Sequence, residues 1–484
     1  MTIWKGTPLG FTQDDSPIDY HAGDDGHGNA PCLVQGPPGS MKSMGLIATQ
    51  LLDDDSGKRS YVVFGDGKGE LTKITSKFRS TVSEVKIANY GNVLNIPSHG
   101  YNPINSLPEP GEPGFGDECQ ARAIAMIPPE PNGRNKHFTE GARSAGYFAI
   151  SRECRRARKK NRPRDISNVR EFMLQEPDKL RAAIEELVQT GDYDDRTRAA
   201  KFLDKNTEIQ NLKSTIEVAT SCWTPELRAD MARPGGIDFR DGKKRAMSIY
   251  FITPTVEMKA KSPYVRMALS DCLRALYTYD GLPTTVIIEE AFVLGYHEEI
   301  EQALSILRGY GSRLTIVFQS YQQIKKLYPD THGLFTSGAV LSFRPGSLED
   351  AKWLVERAGK TIVPVLSAAD PSSPGEVGVR PSWQQQVRDR IPLDKMMGMP
   401  KGRALVWKPG DEKPRVAWVK GYFDIPKLNK RASPNPYYRN SGHTGAGETG
   451  AAASGVGSSS RGKSTSTFAL AIAGAIIGLL LLLH

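Results

Sequence analysis

The chain has 484 residues and few cysteines: Cys32, Cys119, Cys154, Cys222 and Cys272, odd in number and far apart. No C-x-x-C pair and no Cys/His ligand spacing occurs, which excludes a disulfide framework and a zinc site as organising devices. Scattered free thiols fit a reducing compartment. The eight histidines do not cluster either, and no metal is assigned to them. The opening stretch "MTIWKGTPLGFTQDD" lacks an apolar run, so neither a signal peptide nor an N-terminal anchor is expected. Hydrophobic residues are 39% and charged residues 24% of the chain, an ordinary globular balance with length for two or three domains.

One long hydrophobic run is present. Phe468–Leu483, "FALAIAGAIIGLLLLL", follows a Gly/Ser-rich stretch that cannot bury enough apolar surface to fold and reads as a flexible linker. Sixteen helical residues reach about 24 Å, slightly less than the ~30 Å hydrocarbon core. The expectation is a C-terminal single-pass membrane anchor. Arg461 and Lys463 before it hold the rest of the chain at the cytoplasmic face of the inner (cell) membrane.

The net charge of +9 is uneven. "SRECRRARKKNRPR" (151–164) alone carries eight Arg or Lys against one Glu, or +7. Arg155, Arg156, Arg158, Lys159 and Lys160 are candidates for a nucleic-acid backbone; a solvated helix face and acidic lipid headgroups fit the same run.

Short runs rich in Val, Ile, Tyr and Phe predict strands buried on both faces: 32–36, 60–66, 247–254, 284–290, 314–320 and 339–343. Helical patterns between them predict a mostly parallel α/β sheet with right-handed crossovers. Between residues 107 and 245 the strand signal lapses and the pattern is helical, as in an all-α module inserted into one nucleotide-binding domain. The expected division is an N-terminal extension 1–30, a first domain part 31–106, the insertion 107–245, a second part 246–430, a linker 431–467 and the hydrophobic tail 468–484.

The first predicted strand runs into "GPPGSMKS", which matches G-x-x-x-x-G-K-[ST] at every fixed position except Met41. Gly36, Pro37, Pro38, Gly39, Ser40, Met41, Lys42, Ser43 and Met44 form the candidate nucleotide site. Backbone N–H groups and a helix N-terminus cradle phosphates, Lys42 reaches the β/γ oxygens and Ser43 ligates Mg²⁺. Met41 fits without strain only if its backbone is right-handed. In "TTVIIEEAFVLG", Glu289 and Glu290 close a strand expected beside the loop strand. Glu289 is the candidate Mg²⁺ carboxylate, and Glu290 the group that polarises the attacking water.

The ordered set "GPPGSMKS", "VVFGDGKGEL", "YNPIN", "HFTEGAR", "VIIEEAFVLG", "LRGYGSRLTIVFQSYQQIKKLY" and "AVLSFRPGSLEDAKWLVERAG" resembles the TraG/TraD-type coupling proteins of conjugation and type IV secretion, over residues 30 to 365. The resemblance implies a RecA-like P-loop ATPase, homohexameric, using ATP and Mg²⁺, with an inserted all-α domain. It implies DNA or a relaxase–DNA complex, or protein substrates, as cargo and secretion-channel components as partners. It also implies Glu290 as catalytic carboxylate, Gln319 as γ-phosphate sensor and Arg308 as a finger reaching a neighbouring subunit. Asp66 and Lys68 fall near the nucleotide. The chain departs from the family's usual Gly at Met41, Asp at Glu289 and Phe at Ala291, and from its N-terminal transmembrane helices. Two alternatives stand beside this reading: a viral DNA-packaging or virion-extrusion ATPase at a membrane, and a non-hydrolysing recruitment adaptor.

Overall fold

The computed structural model describes residues 2–21, 30–127, 136–191, 193–203, 206–277, 280–369 and 380–437. Thirteen strands are found among them: β1 (Thr7–Phe11), β2 (Pro17–Tyr20), β3 (Cys32–Gln35), β4 (Ser60–Phe64), β5 (Glu84–Ala88), β6 (Met247–Phe251), β7 (Thr284–Ile288), β8 (Arg313–Phe318), β9 (Ala339–Phe343), β10 (Lys360–Ala369), β11 (Arg380–Asp389), β12 (Arg403–Trp407) and β13 (Arg415–Trp418). Eleven form one sheet in the order β2-β1-β13-β12-β9-β3-β8-β7-β4-β6-β5. From β9 to β5 every pairing is parallel, and β12, β13, β1 and β2 extend the β9 side in antiparallel fashion.

Side-chain alternation explains why the parallel strands read as unbroken apolar runs. Leu33, Val62, Phe64, Val286 and Ile288 enter one hydrophobic cluster, while Cys32, Val34, Tyr61, Val63 and Ile287 enter another. Helices bury both faces. Leu71 and Ile74 of Glu70–Arg79 belong to the second cluster, and Val265, Leu269 and Leu273 of Ser262–Ala275 to the first.

The sequence reading located six strands and missed the others. β1 and β2 lie in the stretch read as an N-terminal extension, yet they pair within the main sheet. Their sequences, "TPLGF" and "PIDY", are too short and too interrupted by Pro and Gly to show a period. β7, expected beside β3, is separated from it by β8. Residues 431–437, read as the start of the linker, are tied to the sheet unit: Ser433 N–H donates to the Ile74 carbonyl at 2.9 Å and Asn435 Nδ2 to Glu70 Oε1 at 2.6 Å.

Between β5 and β6 the described residues form helices, including Phe115–Met126, Lys136–Lys159, Ile166–Leu174, Pro177–Thr190 and Asn206–Thr220. Asp165 caps one by accepting from Ser167 N–H, and Pro177 opens the next at its first turn. This segment and the sheet lie in one compact unit, Met1–Asn440. A buried polar hub joins them: Asp271 of Ser262–Ala275 accepts from Arg122, from Tyr101 Oη at 2.9 Å and from Ser106 Oγ at 2.7 Å.

Among the described residues no helix is long and apolar enough to cross a membrane. The longest, Lys136–Lys159, ends in the basic run. That finding overturns the expected placement at a membrane by a C-terminal single-pass anchor. Phe468–Leu483, on which that expectation rested, lies outside the described residues.

Asp271→Ala removes the nearer of two carboxylates from the fully buried Arg122 and leaves only Glu118, 3.4 Å away, so urea unfolding should show a loss of about 3 kcal/mol. A loss under about 1 kcal/mol would remove the hub from its structural role.

Candidate active site

The parallel register brings the C-terminal ends of β3, β8, β7 and β4 to one edge of the sheet, and the candidate residues leave from those ends. After β3 the chain closes a tight loop. Gly36 N–H donates to the Phe318 carbonyl at 3.2 Å, and a Cβ on Gly36 would lie 2.7 Å from Phe343 Cβ, so only glycine fits there. Gly39 has φ +75° and Met41 φ +74°. Met41 is therefore in the left-handed region, the strained alternative, at a cost of about 1–2 kcal/mol. Its side chain and that of Met44 pack against the second hydrophobic cluster, which offsets part of this cost. The chain then enters a single π-helical stretch, Ser43–Ile47, that continues as the α-helix Ala48–Asp53.

Lys42 is buried, and its ammonium donates to the carbonyls of Gly36 at 2.6 Å and Pro37 at 2.8 Å, with Ser40 Oγ at 3.3 Å. Burial lowers its pKa, opposed by the charges of Glu290 and Glu289. Ser43 Oγ donates to Glu289 Oε1. Burial pushes the Glu289 carboxyl up to about 8; the charges of Asp66 and Glu290 add to the rise, while the Ser43 hydrogen bond and Lys42 oppose it. A hydroxyl and a carboxyl held together in this way are a hard-oxygen donor pair suited to Mg²⁺. Glu290 stands at φ +53°, a second strained non-glycine backbone, and its Oε2 accepts from Gln319 Nε2 at 3.0 Å. Gln319 is itself fixed, because its N–H donates to Gln323 Oε1 at 3.0 Å.

Lys42, Ser43, Glu289, Glu290 and Gln319 are thus brought together. Asp66 is close but committed elsewhere. It accepts from Thr72 N–H at 2.8 Å and Thr72 Oγ1 at 2.6 Å, anchoring the helix Glu70–Arg79, and burial raises its pKa. Lys68 is exposed and turns toward the Tyr437 ring, 5.9 Å away. Gln323, four residues past Gln319, was not identified from the sequence; the i,i+4 spacing in "QSYQQ" was its only signal.

Arg308 is exposed in the turn Leu307–Tyr310, just before β8, at the N-terminal edge of the sheet. That is about 20 Å, the length of β8, from the loop edge. Its guanidinium makes no hydrogen bond or ion pair among the described residues.

The basic run is largely consumed within the fold. Arg155 pairs with Asp195 at 2.7 Å and Arg158 donates to the Pro110 carbonyl at 2.6 Å. Arg162 grips Glu153 through both its nitrogens, and Arg152 lies over the Phe172 ring at 4.2 Å. Arg156, Arg158, Lys159 and Lys160 are exposed. Among the nucleic-acid candidates, Arg155 is half-buried against a buried carboxylate, and Arg158 is exposed while donating to a backbone carbonyl.

A model of the family described as type IV secretory system conjugative DNA transfer matches residues 8–440. The conjugal transfer protein TraG of Rhizobium radiobacter is 23% identical over 357 residues, which is 70% of this chain and 53% of that protein. TraG of Escherichia coli is 21% identical over 399 residues, 76% of this chain and 61% of that protein. The chain therefore spans between half and two-thirds of the curated relatives it matches. Among solved structures, the bacterial conjugative coupling protein TrwBdeltaN70 superposes with a TM-score of 0.62 at 14% identity, covering 86% of this chain and 89% of that one. The plasmid coupling protein TrwB in complex with ADP and Mg²⁺ gives 0.60 at 14% identity, covering 86% and 90%. At these identities the likeness shows the fold: a mostly parallel α/β sheet shared with TrwB.

Met41→Gly relieves the left-handed strain but restores glycine's backbone entropy, about 0.5–1 kcal/mol, and loses the thioether packing. Its urea-unfolding free energy should stay within about 1 kcal/mol of wild type. Met41→Val, β-branched at the same φ, should lose more. If Val is tolerated as well as Gly, backbone strain is not what Met41 bears.

Proposed function

The chain belongs to the type IV secretory system conjugative DNA transfer family, and from that membership we propose that it is an ATP-driven motor. It passes DNA, alone or bound to a relaxase, or a protein substrate, to a type IV secretion channel. The working form is a RecA-like homohexamer, with residues 107–245 as an all-α domain facing the cargo. The observation that carries the reading is the convergence of Lys42, Ser43, Glu289, Glu290 and Gln319 from the ends of β3, β7 and β8.

In this reading, residues 36–44 wrap the phosphates and the Lys42 ammonium exchanges the Gly36 and Pro37 carbonyls for β/γ oxygens. Ser43 and Glu289 would hold Mg²⁺, which would supply charge neutralisation at the phosphates; burial keeps the Glu289 carboxyl largely protonated until then. Glu290 orients and polarises the attacking water. Gln319, bonded to Glu290 and fixed by Gln323, senses the terminal phosphate and transmits its loss to the following helix Tyr321–Leu327. Arg308 lies too far from its own loop to serve it, and serves the nucleotide of an adjacent subunit.

Lys42→Ala should abolish ATP turnover in a phosphate-release assay. Glu290→Gln should bind ATP and assemble while turnover falls by about 10²–10⁴. Arg308→Ala should also bind without turnover, and mixing it with Glu290→Gln subunits should recover part of the activity. Wild-type protein that binds ATP yet never hydrolyses it, with or without DNA, would return the adaptor reading.

Three exposed cations of the basic run give a separate test of the cargo. Arg156→Gln, Lys159→Gln and Lys160→Gln together should leave the fold intact and weaken duplex DNA binding. The slope of log affinity against log salt should shrink by up to about 2.7, or 0.9 for each phosphate no longer neutralised. An unchanged slope in a fluorescence titration would make this helix a solvated face.

A further inference from the structure

Lys243 is a buried cation outside the candidate active site. It lies in the short helix Asp241–Lys244, just before β6, at the N-terminal edge of the sheet. It is 6% exposed and forms no ion pair among the described residues, and burial lowers its pKa. An ammonium taken out of water without a counter-charge is costly, so the hydrogen bonds it makes there matter. Lys243 Nζ donates to the Tyr310 carbonyl at 3.4 Å. Its own backbone is pinned: the Lys243 carbonyl accepts from Leu282 N–H at 2.8 Å, and a Cβ on Gly281 (φ +99°) would lie 2.2 Å from that oxygen. Lys243 thereby joins the chain ahead of β6 to the segments that enter β7 and β8.

Tyr310 closes the turn Leu307–Tyr310 that carries Arg308. Leu307 is buried, but Arg308 and Gly309 are exposed, and Gly311 follows in the left-handed region at φ +70°. Glycines on both sides of Tyr310 give the turn a backbone freedom that has to be removed if Arg308 is to point one way. Three contacts oppose that freedom. Gly311 N–H donates to the Arg308 carbonyl at 3.2 Å, the Tyr310 ring lies 5.6 Å from the Tyr277 ring, and the Lys243 ammonium holds the Tyr310 carbonyl. The last has a full charge on the donor, a class about twice as strong as neutral hydrogen bonds.

We propose that Lys243 is a positioning residue for Arg308: by holding the Tyr310 carbonyl it fixes the direction in which the Arg308 guanidinium leaves the subunit. The inference rests on the reading that Arg308 serves the nucleotide of an adjacent subunit. Charge stabilisation across an interface demands arrival within hydrogen-bond reach, and a misplacement of about 1 Å can cost about 10²-fold in rate. Lys243 is at the edge of the sheet away from the phosphate loop. Its loss therefore spares nucleotide binding by its own subunit and falls on turnover in the neighbour's site. An apolar side chain of similar length, as in Lys243→Met, fills the buried space and removes the donor together with its uncompensated charge.

ATP turnover and Mg²⁺-ATP binding of the full chain test this. Lys243→Met should bind ATP within about twofold of wild type while turnover falls about 10- to 100-fold. Combined with Arg308→Ala it should cost no more than Arg308→Ala alone, since a brace has no effect once the guanidinium it directs is gone. Mixing Lys243→Met with Glu290→Gln subunits should recover part of the turnover, because the Glu290→Gln subunits present a correctly held Arg308. A lesion of the fold would not be repaired in this way. Unchanged turnover, additive losses, no recovery on mixing, or a Lys243→Met chain that fails to fold each overturn the inference. Full turnover by Arg308→Ala removes the adjacent-subunit reading itself, and the brace with it. A loss in Arg308→Ala without one in Lys243→Met removes the brace alone.

Discussion

The candidate site depends on the in-register parallel pairing of β3, β8, β7 and β4. Leu33 is opposite Ile316, Ile287 opposite Thr315, and Val63 opposite Ile287. Each strand is buried on both faces, so a one-residue slip would exchange the two hydrophobic clusters and is strongly disfavoured. Fixed register puts four strand ends at the same height. Ser43 of the β3 loop then meets Glu289 after β7, and Gln319 after β8 meets Glu290, although β8 separates β7 from β3. Gly65, at the end of β4, keeps the edge tight: a Cβ there would lie 2.2 Å from the Glu289 carbonyl oxygen.

Two of the strained backbone positions lie at this edge: Met41 and Glu290 are non-glycine residues with positive φ. Such conformations persist only where the surroundings over-determine them. At Met41 the compensation is packing of the side chain on the second cluster. At Glu290 it is the hydrogen bond from Gln319. The two acids also keep different company: burial holds Glu289 in its neutral form against Ser43, whereas Glu290 accepts an amide hydrogen bond. A pair of neighbouring carboxyls is thereby divided into two roles.

Charge elsewhere serves the fold before it serves any partner. The +7 run at 151–164 spends Arg155, Arg158, Arg162 and Arg164 on Asp195, on Glu153, on Glu109 and on the carbonyls of the 104–110 connection. Exposed positive charge on this run is left at Arg156, Arg158, Lys159 and Lys160, and a second exposed group, Arg344, Lys401 and Arg403, lies around the loop. The second group comes from segments some 300 residues or more beyond the loop and is assembled by the β3–β9–β12 pairing alone.

The sequence by itself determined the central sheet strands, the tight loop after β3, the acidic pair and the family, because these are local: a run of Val and Ile, a fixed glycine spacing, two acids closing a strand. The antiparallel edge strands, the sheet order and the left-handed state of Met41 were decided by tertiary structure. "TPLGF" becomes a strand because β2 and β13 lie beside it, and a short strand carries no period of its own. Which basic residues are free was equally non-local. Arg155 and Arg156 are neighbours in sequence, but a helix turns them about 100° apart, so that one meets Asp195 and the other meets water.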